Sequence, residues 1–541
     1  MDDPRENGMD VSAARTVCEL FDRQVRLRPY ATAVRTADRS WTYAEFGRET
    51  ARLAHRLRRL GAGPGTIVGM PVPRGPEALI GLVATLRCGA ACLPLDPDDP
   101  PARNREVLRD VGCEHILALS RDAGFPGAQL LDDPGLQDEA TTSEGLPVPA
   151  PQDLAYAITT SGSTGRPKVV GVLHEGIVNL IVASRDDLDL IRPDDVVLWT
   201  CPVTVDITMQ DCLMALCCGG AVAIPRAGDL PATRIVHEAR TLGATVLDIP
   251  AAMVGPYGRA LLPRLAAAGV RLVAAGSSQL DGRGLAEAAG SMVVQNCYGP
   301  TEASVAVTWY RCVPSTPQRA PIGKPIRRVR TYVLDDELRQ VPVGEAGQLY
   351  LAGAALARGY LGLPARTAAA FLPDPYSPTP GERMYATGDR VVLQPDGDLV
   401  FLGRIDDQVK INGFRVETGE VEHALRQCPG VADAAMLVRE DAPGGTAVVA
   451  FLAGTPSADE VLVRRLRERL PGHMVPRFYV WLDELPLNRP GKVDRAALAE
   501  FPVADLVYRG RTTAGDQREP WGNGDQAHAR TQETQQGVTA P

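Results

Sequence analysis

The sequence predicts an α/β protein: a large N-terminal α/β domain followed by a small α+β domain. Three observations point there. The chain has 541 residues, more than a single hydrophobic core usually serves. From Val11 to about Leu402, short apolar runs alternate with segments of helical period, the pattern of strands and helices in mostly parallel sheets. After Asp407 the order becomes helix, strand, strand, helix.

Taken in order, residues 1–10 read as a loose lead-in, and Thr50–Arg59 as a helix with Leu53 and Leu57 on its apolar face. Thr66–Val72, Leu154–Ile158, Val196–Leu198, Ala221–Ile224, Ala244–Leu247 and Leu272–Ala275 read as buried strands, because each is short, apolar and bounded by turn residues. In the small domain, helices are expected at Glu417–Gln427 and Ala458–Leu470, and strands at Ala434–Val438 and Ala447–Phe451. The expected division is a core at 11–403, a hinge at 404–406, a lid at 407–505 and a disordered, Thr/Gln/Gly-rich tail at 510–541.

The net charge of −9 is spread along the chain, which argues against a nucleic-acid or membrane-surface partner. The first 20 residues carry Asp2, Asp3, Glu6 and Asp10 and lack an apolar run, so they do not read as a signal peptide. The most apolar long stretch, Ile207–Pro225, contains Gln210 and Asp211 and reads as a buried core segment. The 11 cysteines show no metal-ligand spacing and are expected as free thiols in a reducing cytoplasm.

Only four of the 57 basic residues are lysines: Lys168, Lys324, Lys410 and Lys492. Arginine replaces lysine easily on a solvated surface, but not where a compact ammonium must reach a phosphate or carboxylate. The lysines that remain therefore mark places to inspect for chemistry. Lys168 closes the segment Thr159-Thr160-Ser161-Gly162-Ser163-Thr164-Gly165-Arg166-Pro167-Lys168, directly after an apolar run. Its glycines let backbone fold closely around an anion, its hydroxyls donate to phosphate oxygens, and Lys168 adds a point charge. It lacks the Walker A spacing.

This segment resembles the phosphate-binding loop of the adenylate-forming superfamily: adenylation domains of nonribosomal peptide synthetases, acyl-CoA ligases and firefly luciferase. Further motifs follow in that family's order. They are Asn296-Cys297-Tyr298-Gly299-Pro300-Thr301-Glu302, Tyr385-Ala386-Thr387-Gly388-Asp389, Gly403-Arg404-Ile405-Asp406 with Asp407-Gln408-Val409-Lys410-Ile411-Asn412-Gly413, and Asn488-Arg489-Pro490-Gly491-Lys492. The match extends from about Trp41 to Arg495. Two positions depart from the family's usual pattern: Val169 in place of Gly after the loop lysine, and Asn412 in place of Arg before Gly413, which puts contacts to a carrier in doubt.

The resemblance implies ATP and Mg²⁺ as cofactors and a role for each residue. Thr160, Ser161, Gly162, Ser163, Thr164, Gly165 and Lys168 hold phosphates. Thr301 donates to the α-phosphate and Glu302 holds Mg²⁺. Tyr298 faces adenine, Asp389 accepts the ribose hydroxyls, and Arg404 reaches ribose or phosphate. Lys492 bridges the substrate carboxylate and the nucleotide. The small domain then turns about Asp406 and brings Lys410 and Gly413 toward an incoming thiol.

The family also divides by substrate. Asp206, within Pro202-Val203-Thr204-Val205-Asp206, stands where amino-acid-activating members hold the α-ammonium, although Val205 replaces the usual Phe. A buried carboxylate without a cation is costly, so Asp206 implies an amino acid. Carrying over the remaining pocket positions gives Ile207, Gln210, Asp248, Val273, Ala275, Cys297, Val305 and Ala306, together with Lys492. Gln210 and Asp248 imply a polar or basic amino acid, non-proteinogenic ones such as β-lysine included; a proline-like imino acid is the runner-up.

Residues 496–541 are too few for a carrier domain, and no attachment-site motif occurs. The expectation is a stand-alone enzyme that loads a separate phosphopantetheinylated carrier protein, with a small MbtH-like activator as a further partner the resemblance allows. The competing readings are an acyl- or aryl-CoA ligase and a non-catalytic nucleotide-binding scaffold.

Overall fold

A computed structural model describes residues 15–120, 125, 127–131, 139–162, 165–228, 230–406, 408–411, 414–443 and 446–502. Ser163, Thr164, Asp407, Asn412, Gly413, the lead-in and the 510–541 tail lie outside the described residues. By internal contacts the chain divides into two compact units: residues up to Ala424 with Arg467–Met474, and Leu425–Leu466 with residues from Val475 onward.

The first unit carries two large sheets. One has nine strands; Val196–Leu198, Ala221–Ala223, Val246–Pro250, Leu272–Gly276 and Val293–Tyr298 pair in parallel along its centre. The other has seven strands, with Ile67–Pro71, Ala91–Leu95, His115–Ala118 and Leu154–Thr160 parallel and Lys168–Leu173 folded back antiparallel. The apolar runs are strands because both faces of these sheets are covered: Val68, Val197, Leu247 and Val273 are all fully buried.

The alternation of apolar runs did not signal a third sheet of five strands, every pairing of which is antiparallel. Its strands, such as Arg383–Leu393, alternate buried with half-exposed residues and so carry no continuous apolar run. The helix expected at Thr50–Arg59 begins earlier, at Tyr43, where the Thr42 hydroxyl and Glu45 carboxylate form a capping box.

Ile207–Pro225 divides into a buried helix, Ile207–Cys218, and the strand Ala221–Ala223, turned by Gly219 at φ +86°. Among the described residues no helix is long and apolar enough to cross a membrane. All 11 cysteines are free thiols.

The second unit is a three-stranded sheet of Val431–Arg439, Ala447–Gly454 and Phe478–Leu482, with a core around Phe451, Phe478 and Leu498. The sequence expectation of strands at Ala434–Val438 and Ala447–Phe451 falls inside the observed ones.

Candidate active site

The glycine- and hydroxyl-rich segment joins two antiparallel strands, with Thr160 paired to Lys168 across its mouth. Gly162 is required by space, since a Cβ there would sit 1.8 Å from the Arg166 carbonyl. Gly165 is required by conformation as well: its φ is +81°, and an added Cβ would lie 2.6 Å from the His423 ring.

Three donors of this loop, on Ser161, Gly162 and Lys168, are engaged by one short segment, Arg415–Glu420. The Ser161 hydroxyl donates to the Arg415 carbonyl at 2.9 Å and accepts from the Glu417 amide at 2.8 Å. Gly162 N–H donates to Glu420 at 3.0 Å, and Glu420 in turn pairs with Arg103 at 2.5 Å. The Lys168 ammonium donates to Glu417 at 2.9 Å and stands 5.3 Å over the Tyr360 ring. Burial pulls the Lys168 pKa down, with Glu417 opposing the shift. Two carboxylates thus take the same N–H and ammonium donors that a phosphate would require.

Thr301 and Glu302 lie in a one-turn 3₁₀ segment just past the strand Val293–Tyr298. Glu302 is fully buried; it accepts from the Tyr360 hydroxyl at 2.8 Å and from Arg415 Nη1 at 2.9 Å. The turn that follows is strained: Ser304 and Val305 have φ of 56° and 75°, a conformation disfavoured for a β-branched residue. That turn presents Val305 and Ala306 beside Glu302. Thr301 and Asp206 line the same cavity, and burial raises the Asp206 pKa.

At the other end, Tyr298 donates its hydroxyl to Asp389. Arg404 Nη1 pairs with Asp389 at 2.6 Å, and the same guanidinium grips Asp406 at 2.6 and 2.7 Å. Asp389 lies within the strand Arg383–Leu393, paired with Arg404 on the next strand, and follows Gly388, where φ is +73°. Lys410 lies on the short hairpin Val409–Ile411/Phe414–Val416, within electrostatic range of Asp389 and Asp206. Its side chain is exposed, and desolvation by the surrounding protein lowers its pKa.

Asp206 precedes the helix Ile207–Cys218, which carries Gln210 inward to donate to Asp248 at 2.9 Å. Asp248 is the central residue of the parallel strand Val246–Pro250, in register with Ala274 and through it with Gln295, on the face that Cys297 shares. Val273 and Ala275 point to the opposite face and pack with Leu247 and Ile249, so the fold does not bring these two expected pocket residues to Asp248. Cys297 lies at the carboxyl end of its strand, Val293–Tyr298, the end at which open α/β sheets hold ligands. Val273, Ala275, Cys297, Val305 and Ala306 are buried and Ile207 is half-buried. A cavity of about 110 Å³ opens beside Asp206, lined also by Thr160, Ser161, Thr301 and Arg415.

The structure therefore assembles Thr160, Ser161, Gly162, Lys168, Asp206, Tyr298, Thr301, Glu302, Asp389, Arg404 and Lys410 in the first unit. Lys492 belongs to the second unit, exposed in a turn closed by Asn488 N–H to the Lys492 carbonyl at 2.7 Å. Lys324 is exposed on an edge strand beside Asp398. Sequence reasoning did not find Arg415, Glu417, Glu420, Tyr360 or Arg103. One signal was available: Arg415 and Glu417 follow Lys410 at alternate positions of a hairpin, and so share its face with the loop.

The AMP-binding enzyme family matches residues 21–361, and the AMP-binding enzyme C-terminal domain matches residues 420–492. A linear gramicidin synthase protein of Brevibacillus parabrevis is 38% identical over 506 residues, which are 92% of this chain and 10% of that protein. Phosphinothricin tripeptide synthetase PhsC of Streptomyces viridochromogenes is 40% identical over 526 residues, 93% of this chain and 46% of that protein. The chain thus spans less than half the length of these curated relatives.

Among solved structures, PA1221, a nonribosomal peptide synthetase protein containing adenylation and PCP domains, superposes with a TM-score of 0.80 at 29% identity, covering 91% of this chain and 85% of that one. The NpsA-ThdA adenylation–PCP fusion from Klebsiella oxytoca gives 0.77 at 26% identity, covering 86% and 93%. The chain belongs to the AMP-binding enzyme family, as an adenylate-forming enzyme of the nonribosomal peptide synthetase type.

Proposed function

We propose that the chain activates an amino acid with ATP, forming aminoacyl-AMP and pyrophosphate, and then transfers the aminoacyl group to the phosphopantetheine thiol of a separate carrier protein. The observation that carries this reading is Asp206: a carboxylate at the edge of the cavity, beside Thr301 in its lining and pushed up by burial. A pocket for a plain carboxylic acid has no use for that charge, whereas an α-ammonium would relieve it.

The chemistry joins two anions, a carboxylate and the α-phosphate, so alignment and charge neutralisation carry the rate. Thr301 would donate to the α-phosphate, Lys168 and the Ser161–Gly162 donors would serve the leaving pyrophosphate, and Asp389 would accept from ribose. The donor set at Thr301 and Glu302, a hydroxyl and a carboxylate, fits a hard divalent cation. Mg²⁺ bound there would neutralise phosphate oxygens. Lys492 would bridge the two reactants during adenylation, with Asp406 as hinge, and Lys410 would serve the thiol step.

Pyrophosphate exchange over a panel of amino acids and simple carboxylic acids tests the proposal. Exchange with an amino acid, abolished in Asp206→Ala, is expected. Exchange only with acids lacking an amine would make it an acyl-CoA-ligase-like enzyme instead, and nucleotide binding without exchange for any acid would make it a scaffold.

A further inference from the structure

Two successive residues of the turn after Glu302 take the left-handed conformation, and neither is glycine: Ser304 has φ +56° and Val305 φ +75°. Among the described residues no other two non-glycine neighbours do so. Left-handed backbone crowds a Cβ, most of all a β-branched one, and persists only where the surroundings over-determine it.

The polar side chain of the turn supplies that hold. Ser304 is 1% exposed, and its Oγ donates to the Ala355 carbonyl at 2.6 Å. The helix His174–Asp186 makes room for this hydroxyl with Gly176, where an added Cβ would collide with Ser304 Oγ. Gly299 makes room on the other side, since a Cβ there would collide with the Val305 carbonyl. The segment that receives the Ser304 bond also holds Glu302. Ala357 N–H donates to the Glu302 carbonyl at 2.9 Å, and the Tyr360 hydroxyl donates to Glu302 Oε1 at 2.8 Å. Gly359 and Tyr360 pair with Gly171 and Val170 on the strand that begins at Lys168. Residues 355–360 thus grip Glu302 by backbone and carboxylate and join it to the strand of Lys168. Ser304 fastens the near end of that segment to the turn.

We propose that Ser304 is a positioning residue: its hydroxyl holds the left-handed turn that sets the Glu302 carboxylate between Tyr360 and Arg415. The inference rests on the reading that Thr301 and Glu302 serve the α-phosphate and its metal. The Ser304 hydroxyl is engaged with Ala355, so it acts through Glu302 and not on a reactant. Bond and strain are separable here. Alanine loses the bond and keeps the crowded Cβ, whereas glycine loses both.

The test combines thermal melting of the free protein with pyrophosphate exchange by the full chain, using the acid that the unaltered protein exchanges best. Ser304→Gly is expected to melt at or above Ser304→Ala, because glycine adopts this φ without crowding. Both are nevertheless expected to lose about tenfold or more in kcat, since misplacing a reacting group costs rate even when the fold is intact. A residue that served stability alone would return activity in the glycine variant. Gly176→Ala reaches the same bond from the helix. Alanine favours a helix over glycine, so a similar loss of kcat in that protein is expected only from displacement of the Ser304 hydroxyl. A folded Ser304→Gly protein with the kcat of the unaltered one overturns the proposal, as does Ser304→Ala melting above Ser304→Gly. Should neither Ser304 variant fold, an unchanged kcat in Gly176→Ala overturns it. Glu302→Gln keeps the two readings apart. Full exchange there removes the role of Glu302 itself, whereas loss there beside full exchange in both Ser304 variants removes the positioning role alone.

Discussion

Arg415 Nη1 donates to Glu302 Oε2 at 2.9 Å, and so occupies the carboxylate that the proposed reaction requires for its metal. The guanidinium and a divalent cation cannot both neutralise that oxygen. Replacing Arg415 with Ala is therefore expected to lower the Mg²⁺ concentration for half-maximal pyrophosphate exchange by about tenfold to a hundredfold, the range of one charge-assisted hydrogen bond. A Mg²⁺ titration of the two proteins measures it. Equal half-saturation would separate Glu302 from the metal.

The same pair sets an acid limit. Burial alone would raise the Glu302 pKa, but Arg415 and then Lys168 outweigh it and hold the carboxyl below its ordinary value. A depressed folded pKa stabilises the protein above the unfolded value, and that stability is lost as pH falls through the folded one. Arg415→Ala removes the largest opposing charge, so the acid limb of melting temperature against pH should move upward by about one unit. Melting curves between about pH 3 and pH 6 check this. Superimposable acid limbs would show that Arg415 does not hold the charge.

Much of this was legible in the sequence, for a physical reason. Strands buried on both faces need continuous apolar runs, so Val196–Leu198 and Leu272–Gly276 announce themselves. The scarcity of lysine singled out Lys168 and Lys410, both of which the fold brings to the cleft. Arg415, Glu417 and Glu420 were not legible: in a chain with many arginines and acids, their identity says nothing until tertiary packing sets them against Glu302, Lys168 and Gly162.

Lys410 and Lys492 should divide the reaction between them. Lys492→Ala is expected to slow adenylation about a hundredfold or more, by analogy with the loss of one preorganised charge contact, while sparing thioester formation from supplied aminoacyl-AMP. Lys410→Ala is expected to do the reverse. Single-turnover assays of each half-reaction decide it. If Lys492→Ala slowed both halves equally, alternating use of the two lysines would be wrong.

His174 should make stability fall in mild acid. It is fully buried; its Nδ1 accepts from the Val17 amide at 3.4 Å, and its Nε2 has no partner. Burial lowers its pKa to about 4, against partial opposition from Asp153 and Glu19. With an ordinary value of 6.5, the unfolded chain takes up a proton before the folded one does. Stability is therefore complete above about pH 6.5 and declines until about pH 4, by roughly 3 kcal/mol in all. His473, stacked on Phe414 and likewise lowered to about 4, adds a slope of the same sign. His174→Asn keeps an acceptor near Val17 but cannot titrate. It is expected to flatten the loss by one proton's share, read from denaturant unfolding at several pH values. An unaltered slope would mean that the His174 imidazole gains its proton in the folded protein as readily as in the unfolded chain.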